Sequence, residues 1–307
     1  MNRGLIIIIF ALVVFGSVAI AMLTLSGDGP SEKALLVWGG RGTRPGQFVM
    51  PRAITVVGEY LFVVDKRARI QRFSLDGKHQ IEWQTPAFDK GKPTGLGTDL
   101  EGNLLVADTH YSRILRYAVD GRLLDSFGVE GKGPGQFIYP TDVTCDAEGN
   151  LYVCEYGGND RVQKFDAKGR FILQWGCFGE APGEFQRPMS VAVGDDGLIY
   201  VADSCNHRVQ VFDANGNLVR AWGKVGGGPG QLRYPYDLAV DDGNIIVCEY
   251  GNSRLQRFSA DGKFLAKWGS LGVQSGQLNA PWGVFSDLRG RIYVADAGNN
   301  QVQVVRF

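Results

Sequence analysis

The chain has 307 residues, 44% of them hydrophobic and 21% charged, which is apolar mass enough for a large core and excludes a disordered chain. Lys plus Arg and Asp plus Glu each number 32, so no net field draws the body toward nucleic acid or an anionic membrane. The 43 glycines recur at intervals, predicting tight turns between short strands and an all-β chain.

The first predicted element follows Asn2-Arg3. Leu5 to Leu25 is a run of 21 uncharged residues, and at about 1.5 Å rise per residue a helix of that length crosses a ~30 Å hydrocarbon core. Two readings stand: an uncleaved transmembrane anchor, or a signal peptide cleaved after the small-x-small sequence Ala19-Ile20-Ala21. Under either, the positive N-terminal flank places the folded part outside the cytoplasm, periplasmic or extracellular. The expected organisation is residues 1–27 as anchor or signal segment and residues 28–307 as one folded domain.

Next comes KALLVWG at residues 33–39, a single strand with nothing before it to pair with. Six related segments follow, beginning LFVVDKRARIQRF, LLVADTHYSRILRY, LYVCEYGGNDRVQKF, IYVADSCNHRVQVF, IIVCEYGNSRLQRF and IYVADAGNNQVQVV. Equivalent positions Arg69, Arg113, Arg161, Arg208, Arg254 and Gln301 are 44, 48, 47, 46 and 47 residues apart, a repeat period within the propeller range. Each unit reads as four strands. A Pro opens strand a; strand b is an apolar run ending in a carboxylate; strand c is R-[VIL]-Q-x-F; and a D-G or N-G turn leads to strand d, which ends on an aromatic residue. The sixth unit stops at Phe307 without a strand d, and residues 33–39 are a strand d without a unit. Joining them gives six blades, with both termini tied and no open edge.

The PGQF, VADSCNHRVQVF and D-G-x₅-W-G segments resemble those of NHL-repeat proteins over about residues 33 to 307. The resemblance implies a six-bladed β-propeller with a binding face. Its members include RNA-binding modules, an amidating lyase, receptor-kinase sensor domains and extracellular adhesion modules, so it implies architecture and no single reaction.

Residues that recur in every blade are expected to be structural. The aromatics ending strand d, Trp38, Trp83, Phe127, Trp175, Trp222 and Trp268, predict packing between blades. The carboxylates Asp65, Asp108, Glu155, Asp203, Glu249 and Asp296 predict loop caps and ion pairs with the Arg of strand c. In blade six Gln301 replaces that Arg, which predicts a freer Asp296 able to bind a ligand. Cys145, Cys154 and Cys248 read as small core residues, whereas Cys177 and Cys205 lie in loops of one face and form a candidate disulfide.

Function is expected where the blades differ. The residue after each strand-opening Pro rings the channel mouth: Arg52, Thr94, Thr141, Met189, Tyr236 and Trp282. Arg52, Met189, Tyr236 and Trp282, with Asp296, are therefore the candidate ligand-binding residues; Tyr, Trp and Arg are the composition of a binding hot spot. Asp142 and Asp237, one position further, share their blades with Glu155 and Glu249, and these four acids are the candidate metal donors for Ca²⁺ or Zn²⁺. The main expectation remains no cofactor and no catalytic residue. Only His79, His110 and His207 are present, too scattered for a three-ligand zinc site, and no nucleophile motif or phosphate loop is evident.

The expected function is a membrane-tethered, extracytoplasmic binding, scaffold or sensing propeller for a protein, peptide or glycan. It would meet the membrane through residues 5–25, with a place in a larger membrane complex open, and would not bind nucleic acid. The alternative is a metal-dependent hydrolase or lyase, lactonase-like or amidating-lyase-like, using the mouth acids with His110.

Overall fold

The computed structural model describes residues 33–287 and 289–307. It also describes the backbone of a short antiparallel pair, Val13–Val14 with Ser17–Val18. That pair belongs to a unit, residues 1–31, separate from the compact unit of residues 32–307. The rest of the expected membrane or signal helix over residues 5–25 lies outside the described residues. Among the described residues no helix is long and apolar enough to cross a membrane.

Residues 33–307 fold into six four-stranded antiparallel sheets, each in the order a-b-c-d. Blade one contains Pro51–Val57, Tyr60–Asp65, Arg69–Ser74 and His79–Gln84, and blades two to five follow the same plan. Blade six contains Gly283–Ser286, Ile292–Asp296 and Gln301–Val305, and its fourth strand is the N-terminal Leu36–Gly39. The register pairs Gln301 with Gly39 and Val304 with Leu36, so the expected closure is present. The six a strands neighbour one another in a closed circuit that returns from blade six to blade one. They line the central channel.

Burial follows from this radial order. Strand b is an apolar run up to its terminal carboxylate because both its faces lie against neighbouring blades, and Leu104–Asp108, Ile199–Asp203 and Ile292–Asp296 are buried at every residue. Strand d is outermost and alternates, as in Phe171–Trp175, where only one face meets the core. In blades one, three and four its terminal aromatic packs on the strand-c aromatic of the following blade: Trp83 on Tyr117 at 5.7 Å, Trp175 on Phe212 at 5.7 Å and Trp222 on Phe258 at 6.0 Å. These rings are the inter-blade glue, and their geometry fixes the c-d turn. At Gly216 φ is +82° and an added Cβ would stand 2.9 Å from the Trp175 ring, so the turn glycine serves both the conformation and the contact.

The carboxylate ending strand b ties the incoming loop to its blade. Glu249 accepts Arg254 Nε at 2.6 Å, Gln256 Nε2 at 2.7 Å and the Arg233 amide at 3.0 Å. The Arg254 guanidinium in turn donates to the carbonyls of Gly227, Gly228 and Gln231 in the loop between blades four and five. Glu155 with Arg161 and Asp203 with Arg208 repeat the arrangement. These charges are buried, so the pairing also offsets their desolvation.

Candidate functional site

The mouth of the channel is assembled from blades that are far apart in sequence. Tyr236 stacks on Tyr250 with ring centroids 4.5 Å apart and planes 19° apart. Trp282 meets Tyr236 edge-on at 5.0 Å, and the Arg52 guanidinium lies 4.9 Å from the Trp282 ring centre. The three mouth residues expected to cluster, Arg52, Tyr236 and Trp282, are thus in one contact group, and each is half-buried. Met189 closes the floor at 3% exposure. Thr94 and Thr141 are spent on neighbours: Thr94 Oγ1 donates to the Thr141 carbonyl and Thr141 Oγ1 to the Pro188 carbonyl, both at 2.9 Å.

Sequence reasoning missed two members of the mouth. Tyr250 follows the strand-b carboxylate and completes the stack. Arg187 precedes the strand-opening Pro of blade four, and its guanidinium lies 5.0 Å from the Tyr156 ring and 5.9 Å from that of Tyr236. Arg187 holds a left-handed backbone, φ +57°, and its amide donates to Asp160 Oδ1 at 2.7 Å. The same tether recurs in other blades. The amides of Met50, Tyr234 and Ala280 donate to Asn300 Oδ1, His207 Nδ1 and Ser253 Oγ. His207 is therefore an inter-blade tether, and burial holds its imidazole below the ordinary histidine pKa. His110 accepts the Lys92 amide at 3.3 Å and packs on Tyr139 at 5.5 Å. These contacts depend on loops from two blades meeting, and repeat alignment alone carries no signal of that.

The expected four-acid metal cluster does not assemble. Glu155 and Glu249 are consumed by the intrablade Arg, Gln and amide donors. Asp142 and Asp237 instead cap the unpaired inner edge of the next strand a. Asp142 Oδ2 accepts the Val191 amide at 3.1 Å, and Asp237 Oδ2 accepts the Val284 amide at 2.7 Å. Between them in blade four, Ser190 Oγ accepts the Leu238 amide at 3.2 Å. Where the equivalent residue is Gly, an added Cβ would collide with the adjacent blade: Gly95 lies 2.3 Å from the Thr141 carbonyl by this measure. Among the described residues no three His, Cys, Asp or Glu side chains form a metal-holding group.

Burial raises the pKa of both aspartates. Asp237 is pushed up to about 6, while Asp142, which also faces the charge of Asp237, lies well above the ordinary carboxyl range. They sit where the channel is pinched. Above them a space of only about 10 Å³ is lined by Arg52, Met189, Tyr236 and Trp282, and below them a chamber of about 270 Å³ opens toward the opposite face.

Two further expectations need correction. Asp296 is fully buried and satisfied by the Asn279 amide, Asn299, Gln301 and Gln303, so losing the Arg partner leaves it uncharged company and no freedom to bind a ligand. Cys177 and Cys205 are free thiols. Cys177 is exposed after the outermost strand of blade three, whereas Cys205 lies inward, near Arg187 and within electrostatic reach of Tyr236. Both loops emerge on the same face as expected, but at different radii.

The fold defines the class: a six-bladed β-propeller closed by its N-terminal strand. A family model of the NHL repeat matches residues 185–212, 232–258 and 278–305, the segments of blades four, five and six that run from the incoming loop through strand c. The chain thus carries NHL repeats within a six-bladed β-propeller. Solved structures share the architecture at low identity. A virginiamycin B lyase from Staphylococcus aureus superposes with a TM-score of 0.61 at 15% identity, over 88% of this chain and 95% of that one. A gluconolactonase from Xanthomonas campestris gives 0.64 at 14%, over 92% and 99%. A structural genomics protein of unknown function from Bacteroides thetaiotaomicron gives 0.69 at 18%, over 89% and 75%. At these identities the likeness establishes the fold alone.

Proposed function

We propose that this protein is a binding propeller whose channel mouth captures a protein, peptide or glycan partner. The observation that carries the reading is the half-buried contact group of Tyr236, Tyr250, Trp282 and Arg52 on a face whose recurring charges are used for structure. Rigid aromatics with a guanidinium give large contact area at low conformational cost, the usual make-up of binding hot spots. The uncharged run Leu5–Leu25 supports tethering the propeller to a membrane and displaying it outside the cytoplasm, where a larger membrane complex is a natural setting. Partner capture by the full chain in mild detergent tests the reading. Trp282→Ala should abolish capture with thermal stability nearly unchanged; a large stability loss would make Trp282 a plug and not a contact.

A second reading, a metal-dependent hydrolase or lyase, is favoured by one feature: two carboxyl groups, Asp142 and Asp237, lie at the floor of the mouth. Metal analysis of the purified full chain separates the two. The binding reading expects no stoichiometric ion. A tightly held zinc or calcium that disappears in Asp142→Ala or Asp237→Ala would favour the enzyme.

A further inference from the structure

The two arginines of the mouth have an unusual set of neighbours. Most of the more deeply buried guanidinium groups of the propeller are matched to carboxylates, Arg69 to Asp65, Arg161 to Glu155 and Arg254 to Glu249, while Arg72, packed on Tyr60, donates to the Val119 carbonyl. Arg52 and Arg187 have no such partner. Among the described residues neither enters an ion pair, and the Nε of each is buried with no acceptor. Their company is aromatic: Trp282 beneath Arg52, and Tyr156 and Tyr236 beside Arg187.

The topology sets these groups against each other. Arg52 opens blade one and Arg187 precedes blade four, and in a ring of six those blades are opposite. The two guanidinium groups therefore approach the mouth from facing sides. Burial lowers the pKa of Arg52; Tyr156 and the more distant Asp65 oppose that shift and Arg187 adds to it, so the two guanidinium groups lie within each other's field. Two like charges held partly desolvated, with donors unused, is an arrangement that costs stability unless something completes it. Burial raises the pKa of both floor acids, Asp142 and Asp237, which weakens the negative charge they set against the arginines. An aromatic ring stabilises the cation by its face and leaves the N–H edge of the guanidinium free to donate in plane.

We propose that the mouth is an anion clamp: Arg52 and Arg187 grip a carboxylate or phosphate group between them, while the Tyr236–Trp282 wall packs against a flat apolar body carrying it. This rests on the mouth being the binding face, and it narrows the partner to one presenting such a group. A carboxylate and a phosphate share the planar or near-planar oxygen edge that a guanidinium recognises with paired N–H donors.

Simple probes test the charge requirement without knowledge of the natural ligand. Calorimetric titration of the full chain in detergent at low salt should find benzoate and phenylphosphate binding at least tenfold tighter than benzamide, an uncharged analogue of similar shape. Acetate should bind more weakly than benzoate. The advantage of benzoate should fall as salt is raised and vanish in Arg52→Met/Arg187→Met, with Arg52→Lys retaining part of it. A measurement on the unaltered protein guards against a misfolded double variant. Benzoate should protect Arg52 and Arg187, and not the ion-paired Arg254, from modification by phenylglyoxal, read by peptide mass spectrometry.

Equal binding of benzoate and benzamide, both lost in Trp282→Ala, would overturn the clamp and leave the mouth standing as a binding face. Absence of protection at both arginines would overturn the clamp outright. Anion binding that depends on Arg52 and Arg187, together with partner capture that survives Trp282→Ala, would uphold the clamp and displace the macromolecular partner to another surface.

Discussion

Asp237→Asn isolates the role of the buried acids at the pinch of the channel. The folded-state pKa of Asp237 is about 6, raised by burial from an ordinary carboxyl value of 3.8. The folded protein thus holds this proton more tightly than the unfolded chain does. Its contribution to stability is complete below about pH 4 and is lost as pH climbs through about 6. A displacement of about two pH units corresponds to ~3 kcal/mol. Part of the side chain faces the channel lumen, where water screens the charge, so about 2 kcal/mol is the working figure. Asparagine preserves the oxygen that accepts the Val284 amide and removes the ionisation. The variant should match the parent at pH 4 and exceed it by about 2 kcal/mol at pH 8, on the order of 4 °C in Tm for a domain of this size. Thermal melts of both proteins at unit steps from pH 4 to 8 measure the difference directly, with the other carboxyl groups common to both. A flat difference would refute the buried-proton account. A difference of opposite sign, with the parent gaining on the variant as pH rises, is what a cation held by Asp237 would give, and would revive the metal reading.

Two more outcomes test the scaffold. Gly216→Ala places a Cβ against the Trp175 ring at a backbone angle disfavoured for alanine, and should cost about 1–3 kcal/mol in urea unfolding; no loss would mean that the turn is not pinned by the neighbouring blade. Arg254→Ala leaves Glu249 buried without its cation and should cost about 3–5 kcal/mol. Gln301→Ala at the equivalent place in blade six removes one of several neutral donors to Asp296 and should cost only about 1–2 kcal/mol. Equal losses would remove the distinction between the charged and uncharged blades.

The sequence by itself determined the number of blades, the order of strands within each, the closing strand and the structural rank of the repeating aromatics and carboxylates. Each is written in local signals repeated about every 47 residues: an apolar run, a turn glycine, an Arg at a fixed offset. It also placed Arg52, Tyr236 and Trp282 on one rim, because equivalent positions in a closed ring must share a radius and a height. Tertiary structure decided what each side chain touches. Asp142 and Asp237 looked like metal donors because sequence shows acids and not the bare amides of the next strand that they cap. Asp296 looked free because its lost arginine was visible and its neutral donors, drawn from two loops and strand c, were not. Arg187 was overlooked because its place in the mouth depends on a left-handed turn held by Asp160, 27 residues earlier in the preceding blade. Repetition encodes the backbone frame, since every unit must fit the same gap between neighbours, whereas the partners of a polar side chain are chosen by loops that meet only once the ring has closed.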